Sequence, residues 1–143
     1  MMTNTFYIKL YLLTVPVFFG IDMIWLAGVA PEFYQEQIGH LIVDADDVNW
    51  IAALVFYLLY IIGILWFAVL PGLKAGSLLL SARQAALFGF FTYVTYELTN
   101  MATLPNWPLM VVVIDTLWGM VLCTSVAMVS YFIGRRLLNH QML

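Results

Sequence analysis

Long apolar runs, separated by short stretches that collect the prolines and most of the charge, organise this chain. A spanning helix needs about 20 predominantly apolar residues to cross a hydrocarbon core about 30 Å thick. Runs of that length predict helices over 6–30, 49–70, 82–104 and 108–134, each long enough to span with some tilt. Their ends are punctuated. Pro31 follows the first, Pro71-Gly72 follows the second, and Pro105-Asn106-Trp107-Pro108 reads as a tight turn whose last proline opens the fourth. Trp50 and Trp107 are expected at one membrane interface, where amphipathic rings settle. The expected fold class is all-α: a polytopic membrane protein, a four-transmembrane-helix bundle forming a single membrane domain over 1–143.

Composition strengthens this reading. Of 143 residues, 64% are hydrophobic and 9% charged, and the mean hydropathy is +0.98, well above that of water-soluble domains. A net charge of −3 with 5 scattered basic residues argues against nucleic acid as a partner. Cys123, the 1 cysteine, excludes an intrachain disulfide and a multi-thiolate metal site, and is expected to pack as a small apolar residue. The apolar stretch ending in Ala27-Gly28-Val29-Ala30 is read as a retained helix, because it is too long for a signal core and contains Asp22.

Charge also orients the bundle. Lys9, Lys74, Arg83, Arg135 and Arg136 fall on one side of the four expected spans, whereas the connection before the second span carries Glu32, Glu36, Asp44, Asp46 and Asp47. The positive-inside rule places both termini in the cytoplasm and the acidic loop outside. That loop is expected to be simply solvated. So one-sided a bias also argues against small four-helix exporters that insert in both orientations.

Carboxyl groups inside the spans are the candidate chemistry. A charge at mid-membrane costs about 2.5 to 3.5 kcal/mol on insertion scales, so each such residue is a functional candidate by default. Counting about 1.5 Å per residue from the outer helix ends places Asp22, Glu97 and Asp115 roughly 10 to 12 Å deep, at one level. Trp25, Tyr57, Tyr60, Tyr93, Tyr96, Asn100 and Trp118 fall in the same band. On a wheel of about 100° per residue, Thr92, Tyr93, Thr95, Tyr96, Glu97, Thr99, Asn100 and Thr103 fill one arc of the third helix. Membrane helices turn such arcs inward. Ala85 and Gly89 offer a small-residue strip for close approach near its other end. The threonines and individual tyrosines are accounted for by hydrogen bonding within the bundle. The acids are not, since the outer halves of the spans hold no lysine, arginine or histidine, and they are expected to titrate as a coupled set.

No cofactor is named by these residues. Haem needs axial ligands such as histidine, but His40 lies in the outer loop and His140 in the tail. Transition-metal sites usually add imidazole to carboxylates, so no metal site is expected, and a hard cation or a proton suits these acids better.

The segments Asp22-Met-Ile-Trp-Leu26, Phe33-Tyr34, Gly39-His40-Leu41, Phe56-Tyr-Leu-Leu-Tyr60, Phe67-Ala-Val-Leu-Pro71, the run from Ala86 to Thr103, Asn106-Trp-Pro108 and Asp115-Thr-Leu-Trp-Gly119 resemble the bacterial family catalogued as domain of unknown function 2177. The resemblance runs from Asp22 to Gly119 and is most specific along the third helix. It departs at Glu97, where the family pattern has Asp more often. It implies a small polytopic protein of the bacterial inner membrane and, by association alone, a place in envelope lipid metabolism.

Three functions fit these residues. The first is a site that binds or processes a lipid-like or small amphiphilic molecule, with Glu97 and Asp115 as acid and base, Asp22 as an orienting partner, and Trp25, Tyr57, Tyr60, Tyr93, Tyr96, Asn100 and Trp118 as substrate-binding residues. The second is a proton- or cation-coupled small transporter or channel. The third is a non-catalytic accessory subunit of a membrane complex. Membrane lipid is an expected partner in each, and a homo-oligomer or larger membrane complex is the assembly that the second and third would need.

Overall fold

The computed structural model describes residues 2–140, and among these every regular element is helical. Helix α1 (Asn4–Gly28) starts at Thr3, whose hydroxyl accepts from the Phe6 N–H at 3.3 Å. Its buried residues, Phe6, Leu10, Thr14, Phe18 and Asp22, form a single stripe at four-residue spacing. A short helix α2 (Ala30–Ile38) follows immediately, then a helical turn at Ala45–Asp47. The long helices α3 (Trp50–Ala75), α4 (Leu78–Thr103) and α5 (Leu109–His140) complete the fold. Helices α1, α3 and α5 are long and apolar enough to cross a membrane.

Three expectations are corrected. The connection before α3 contains helix α2, whose Ala30, Phe33, Tyr34, Gln37 and Ile38 are turned from solvent while Glu32, Gln35 and Glu36 are exposed. That is an amphipathic helix lying against the bundle. Pro71 does not end α3. A π-helical turn at Leu65–Val69 precedes it, absorbing the missing N–H and the ring's clash with the preceding turn, and the helix continues to Ala75. It stops where Gly76 takes φ 64°. There the Ser77 N–H bonds the Gly72 carbonyl at 2.9 Å and the Gly76 N–H that of Leu73 at 3.2 Å, a left-handed cap that glycine adopts without strain. Ser77 then caps α4, accepting from the Leu80 N–H at 3.2 Å. Lastly, α5 runs past Gly134 to His140.

Helix α5 is central, packing along most of its length against both α1 and α4. Trp25 stacks on Trp118 with centroids 4.8 Å apart, and the Thr14 hydroxyl donates to Ser130 Oγ at 2.9 Å, so α1 and α5 run antiparallel. Glycine permits the closest α4–α5 approach: a Cβ on Gly89 would strike the Gly119 carbonyl, and one on Gly119 would strike the Tyr93 ring. Helix α4 touches α3 chiefly through the π-helical turn and the last turn of α3. The core of Leu65, Ala68, Val69, Leu73, Ala85, Val126 and Ala127 is accordingly densest toward the end that carries the basic residues. Toward the acidic loop, α3 and α4 stand apart.

Candidate functional site

Asp22, Glu97 and Asp115 are all enclosed, at 5%, 0% and 9% exposure. Their helices explain why. Asp22 ends the buried stripe of α1, Glu97 continues the Ser81, Ala85, Gly89 stripe of α4 at four-residue multiples, and Asp115 follows Val111 and Val112 on the inward face of the central helix α5.

They do not lie at one level. The antiparallel register set by Thr14 with Ser130 and Trp25 with Trp118 puts Asp22 opposite the neighbourhood of Val121, roughly 10 Å along the helix pair from Asp115. Counting from helix ends misjudged this because α1 stops at Gly28 and α2 fills the space above it. The polar band is therefore two layers.

The upper layer is the Glu97–Asp115 pair. The two carboxyls are near enough to act on one another electrostatically. The Trp107 indole N–H donates to Glu97 Oε2 at 2.9 Å, and Glu97 Oε1 is buried with no donor facing it. The Tyr34 hydroxyl donates to Asp115 Oδ1 and accepts from the Trp25 indole N–H at 3.1 Å. Burial, and then the hydrogen bond and charge of Asp115, push the Tyr34 pKa well above its ordinary value. Tyr34 therefore stays protonated and donates.

The lower layer contains Asp22, flanked by Tyr57 and the Trp118 indole. The Trp118 Nε1 is buried without a partner at hydrogen-bonding geometry, so contact between the two is electrostatic in this conformation. Nearby, the Tyr60 hydroxyl lies 2.7 Å from Thr92 Oγ1 and 3.1 Å from Cys123 Sγ, while Thr92 donates back to the Phe88 carbonyl at 2.8 Å. Tyr93 joins the layers, lying within electrostatic reach of both Asp22 and Asp115. Among the described residues, no group of three metal-ligating side chains converges.

Beside the lower layer, where α3 and α4 diverge, lies a cavity of about 680 Å³ lined by Phe18, Phe56, Tyr60, Thr92, Tyr93 and Tyr96. Tyr96 is 61% exposed and forms its rim. The expectation that the whole polar arc of α4 faces inward is thereby corrected. Glu97 is buried and Thr92, Tyr93 and Asn100 are half-buried, but Thr95, Tyr96, Thr99 and Thr103 are exposed. The cause is the divergence, since no part of α3 reaches across to cover them. Thr103 meets its own need by donating to the Thr99 carbonyl at 2.8 Å.

Tyr34 and Trp107 escaped the sequence reading. Tyr34 had a detectable signal in the amphipathic spacing of Ala30, Phe33, Tyr34, Gln37 and Ile38. Trp107 had none, because an aromatic ring in a loop between spans reads as an interface anchor, and only the fold turns its N–H toward Glu97. Cys123 packs in the core as expected and also meets the Tyr60 hydroxyl.

Several apolar helices of spanning length, with enclosed carboxyls among them, define an integral membrane protein of the helical type. More narrowly, the chain belongs to the family described as predicted membrane protein, domain of unknown function 2177, which matches residues 7–132. No curated protein and no solved structure matches it.

Proposed function

We propose that this protein is a four-span membrane protein that binds a lipid-like or small amphiphilic molecule in the cavity between α3 and α4. Helix α4 is the fourth span. Its 26 residues reach about 39 Å, enough to cross, and it packs against α5 between other spanning helices. Helix α2, at 9 residues, is too short to cross and lies at the acidic end. Both termini are cytoplasmic by the charge bias, which opens the cavity toward the outer half of a bacterial inner membrane.

The observation that carries this reading is the polar wall of a laterally open cavity. Tyr60 and Thr92 bond one another, but Tyr93 and Tyr96 line the same space that hydrocarbon alone would fill, and hydroxyl groups facing hydrocarbon are costly without a partner. An amphiphile relieves that mismatch by seating its head against the tyrosines and its chain in the opening between α3 and α4. In this arrangement Glu97 and Asp115 exchange a proton as acid and base, Asp22 orients the head, and the stacked rings of Trp25 on α1 and Trp118 on α5 close the site behind it.

Photo-crosslinking in lipid nanodiscs with a diazirine-bearing alkyl amphiphile tests this reading. Adducts are expected to concentrate on Phe56, Thr92 and Tyr96, and to fall in the paired variant Glu97→Gln, Asp115→Asn. Adducts spread over lipid-facing positions such as Leu12 and Phe132, in proportion to exposure, would remove the reading.

A further inference from the structure

The amphiphile's head has a chemistry that the site itself selects, and this inference rests on the amphiphile-binding reading above. We infer that the cavity accepts a lipophilic organic cation, an ammonium-type head carried on an apolar chain, and disfavours phosphate heads.

Two observations carry it. First, the walls are almost entirely aromatic: Phe18, Phe56, Tyr60, Tyr93 and Tyr96, with Thr92 alone adding an aliphatic and hydroxyl surface. Ring faces attract a cation within about 6 Å of their centroids, and aromatic cages are a recurrent solution for quaternary ammonium groups. Tyr60 packs edge-on to both Phe18, at 6.1 Å, and Tyr93, at 6.2 Å, so faces and edges from three helices surround one space.

Second, negative charge backs the cage with no positive charge beside it. Asp22 lies one turn from Phe18 on the same buried stripe of α1 and acts electrostatically on Tyr57, Tyr93 and Cys123, the last of which contacts Tyr60. Asp115 also reaches Tyr93. All five lysines and arginines sit at the opposite end of the bundle or beyond it, so nothing in this half would bind a phosphate.

A neutral alcohol would satisfy a hydroxyl but leave the field of the carboxyls unanswered.

A matched series provides the test: dodecyltrimethylammonium, dodecanol and dodecyl phosphate compete with the diazirine amphiphile for labelling of Phe56 and Tyr96, in nanodiscs of zwitterionic lipid. Protein-free nanodiscs correct for partitioning. The cation is expected to compete about tenfold better than the alcohol, with the phosphate weakest. Asp22→Asn is expected to narrow the gap between cation and alcohol. Equal competition by all three heads, or a preference for phosphate, would overturn the cation assignment and leave the amphiphile site standing. A preference for the cation that Asp22→Asn does not change would also overturn it, because the carboxyl would then play no part. Competition by none of the three would remove the site and this inference together.

Discussion

The two ends of the bundle are built on opposite principles. At the basic end α3, α4 and α5 converge on small and aliphatic residues, with Ala68, Ala85 and Ala127 fully buried beside Val69 and Val126. A polar contact there is local: the Thr14 hydroxyl meets Ser130 Oγ at 2.9 Å and the carbonyl of Leu10, one turn back, at 2.8 Å. At the acidic end the same helices are held by tyrosine, tryptophan and carboxyl groups, and α3 and α4 separate around a cavity. The contrast teaches that apolar packing fixes this fold from one end, leaving the other free to hold groups that would destabilise a continuous core. Proteins commonly draw their functional elements from the less tightly packed part of the structure.

The largest expected effect lies where the helices approach most closely. In Gly119→Ala the added methyl meets the Tyr93 ring, and in Gly89→Ala it meets the Gly119 backbone. Each is expected to destabilise the protein by about 1 to 3 kcal/mol or more, measured by reversible unfolding in mixed micelles. Gly20→Ala, with open space around it, is expected to be neutral or slightly stabilising, by up to roughly 1 kcal/mol. Equal effects at all three glycines would mean that the close approach of α4 and α5 is absent.

Next comes the cap over the carboxyl pair. Tyr34→Phe removes the donor to Asp115 and the acceptor for Trp25, with an expected cost of about 1 to 3 kcal/mol. Hydrogen exchange over α2 should accelerate while the basic ends of α4 and α5 keep their protection. Uniform acceleration along the bundle would contradict the division into two ends. The same bond predicts a direction with pH. The raised Tyr34 pKa means that its contribution is complete below about pH 10, the unfolded value, and declines as pH rises above it. Tyr34→Phe should flatten that part of the stability profile.

The smallest effect belongs to the rim. Tyr96→Phe keeps the ring at an exposed position outside the buried core, and stability should change by no more than about 0.5 kcal/mol. A loss beyond about 1 kcal/mol would place Tyr96 among the groups that hold the fold.

Much of the architecture was legible in the residues. Apolar run length located the long helices, and the enclosed carboxyls could be named because their cost in a membrane makes them conspicuous. What was not legible depends on how helices meet. The level of Asp22 relative to Asp115 follows from the α1–α5 register, which Trp25, Trp118, Thr14 and Ser130 establish only once they are in contact. The continuation of α3 through Pro71 depends on a π-helical turn, for which the local sequence carries no dependable mark. The exposed side of α4 depends on α3 leaning away, a property of neither helix alone.

The central claim is that α3 and α4 stand apart at the acidic end around a site that admits an amphiphile. An experimental structure in a lipid bilayer tests it most directly. The account predicts elongated density between Phe56 and Tyr96, its polar end against Tyr93 and near Asp22, with Glu97 and Asp115 enclosed and facing each other. Helices closed on one another with the cavity filled by their own side chains, or carboxyls turned out into water, would contradict it.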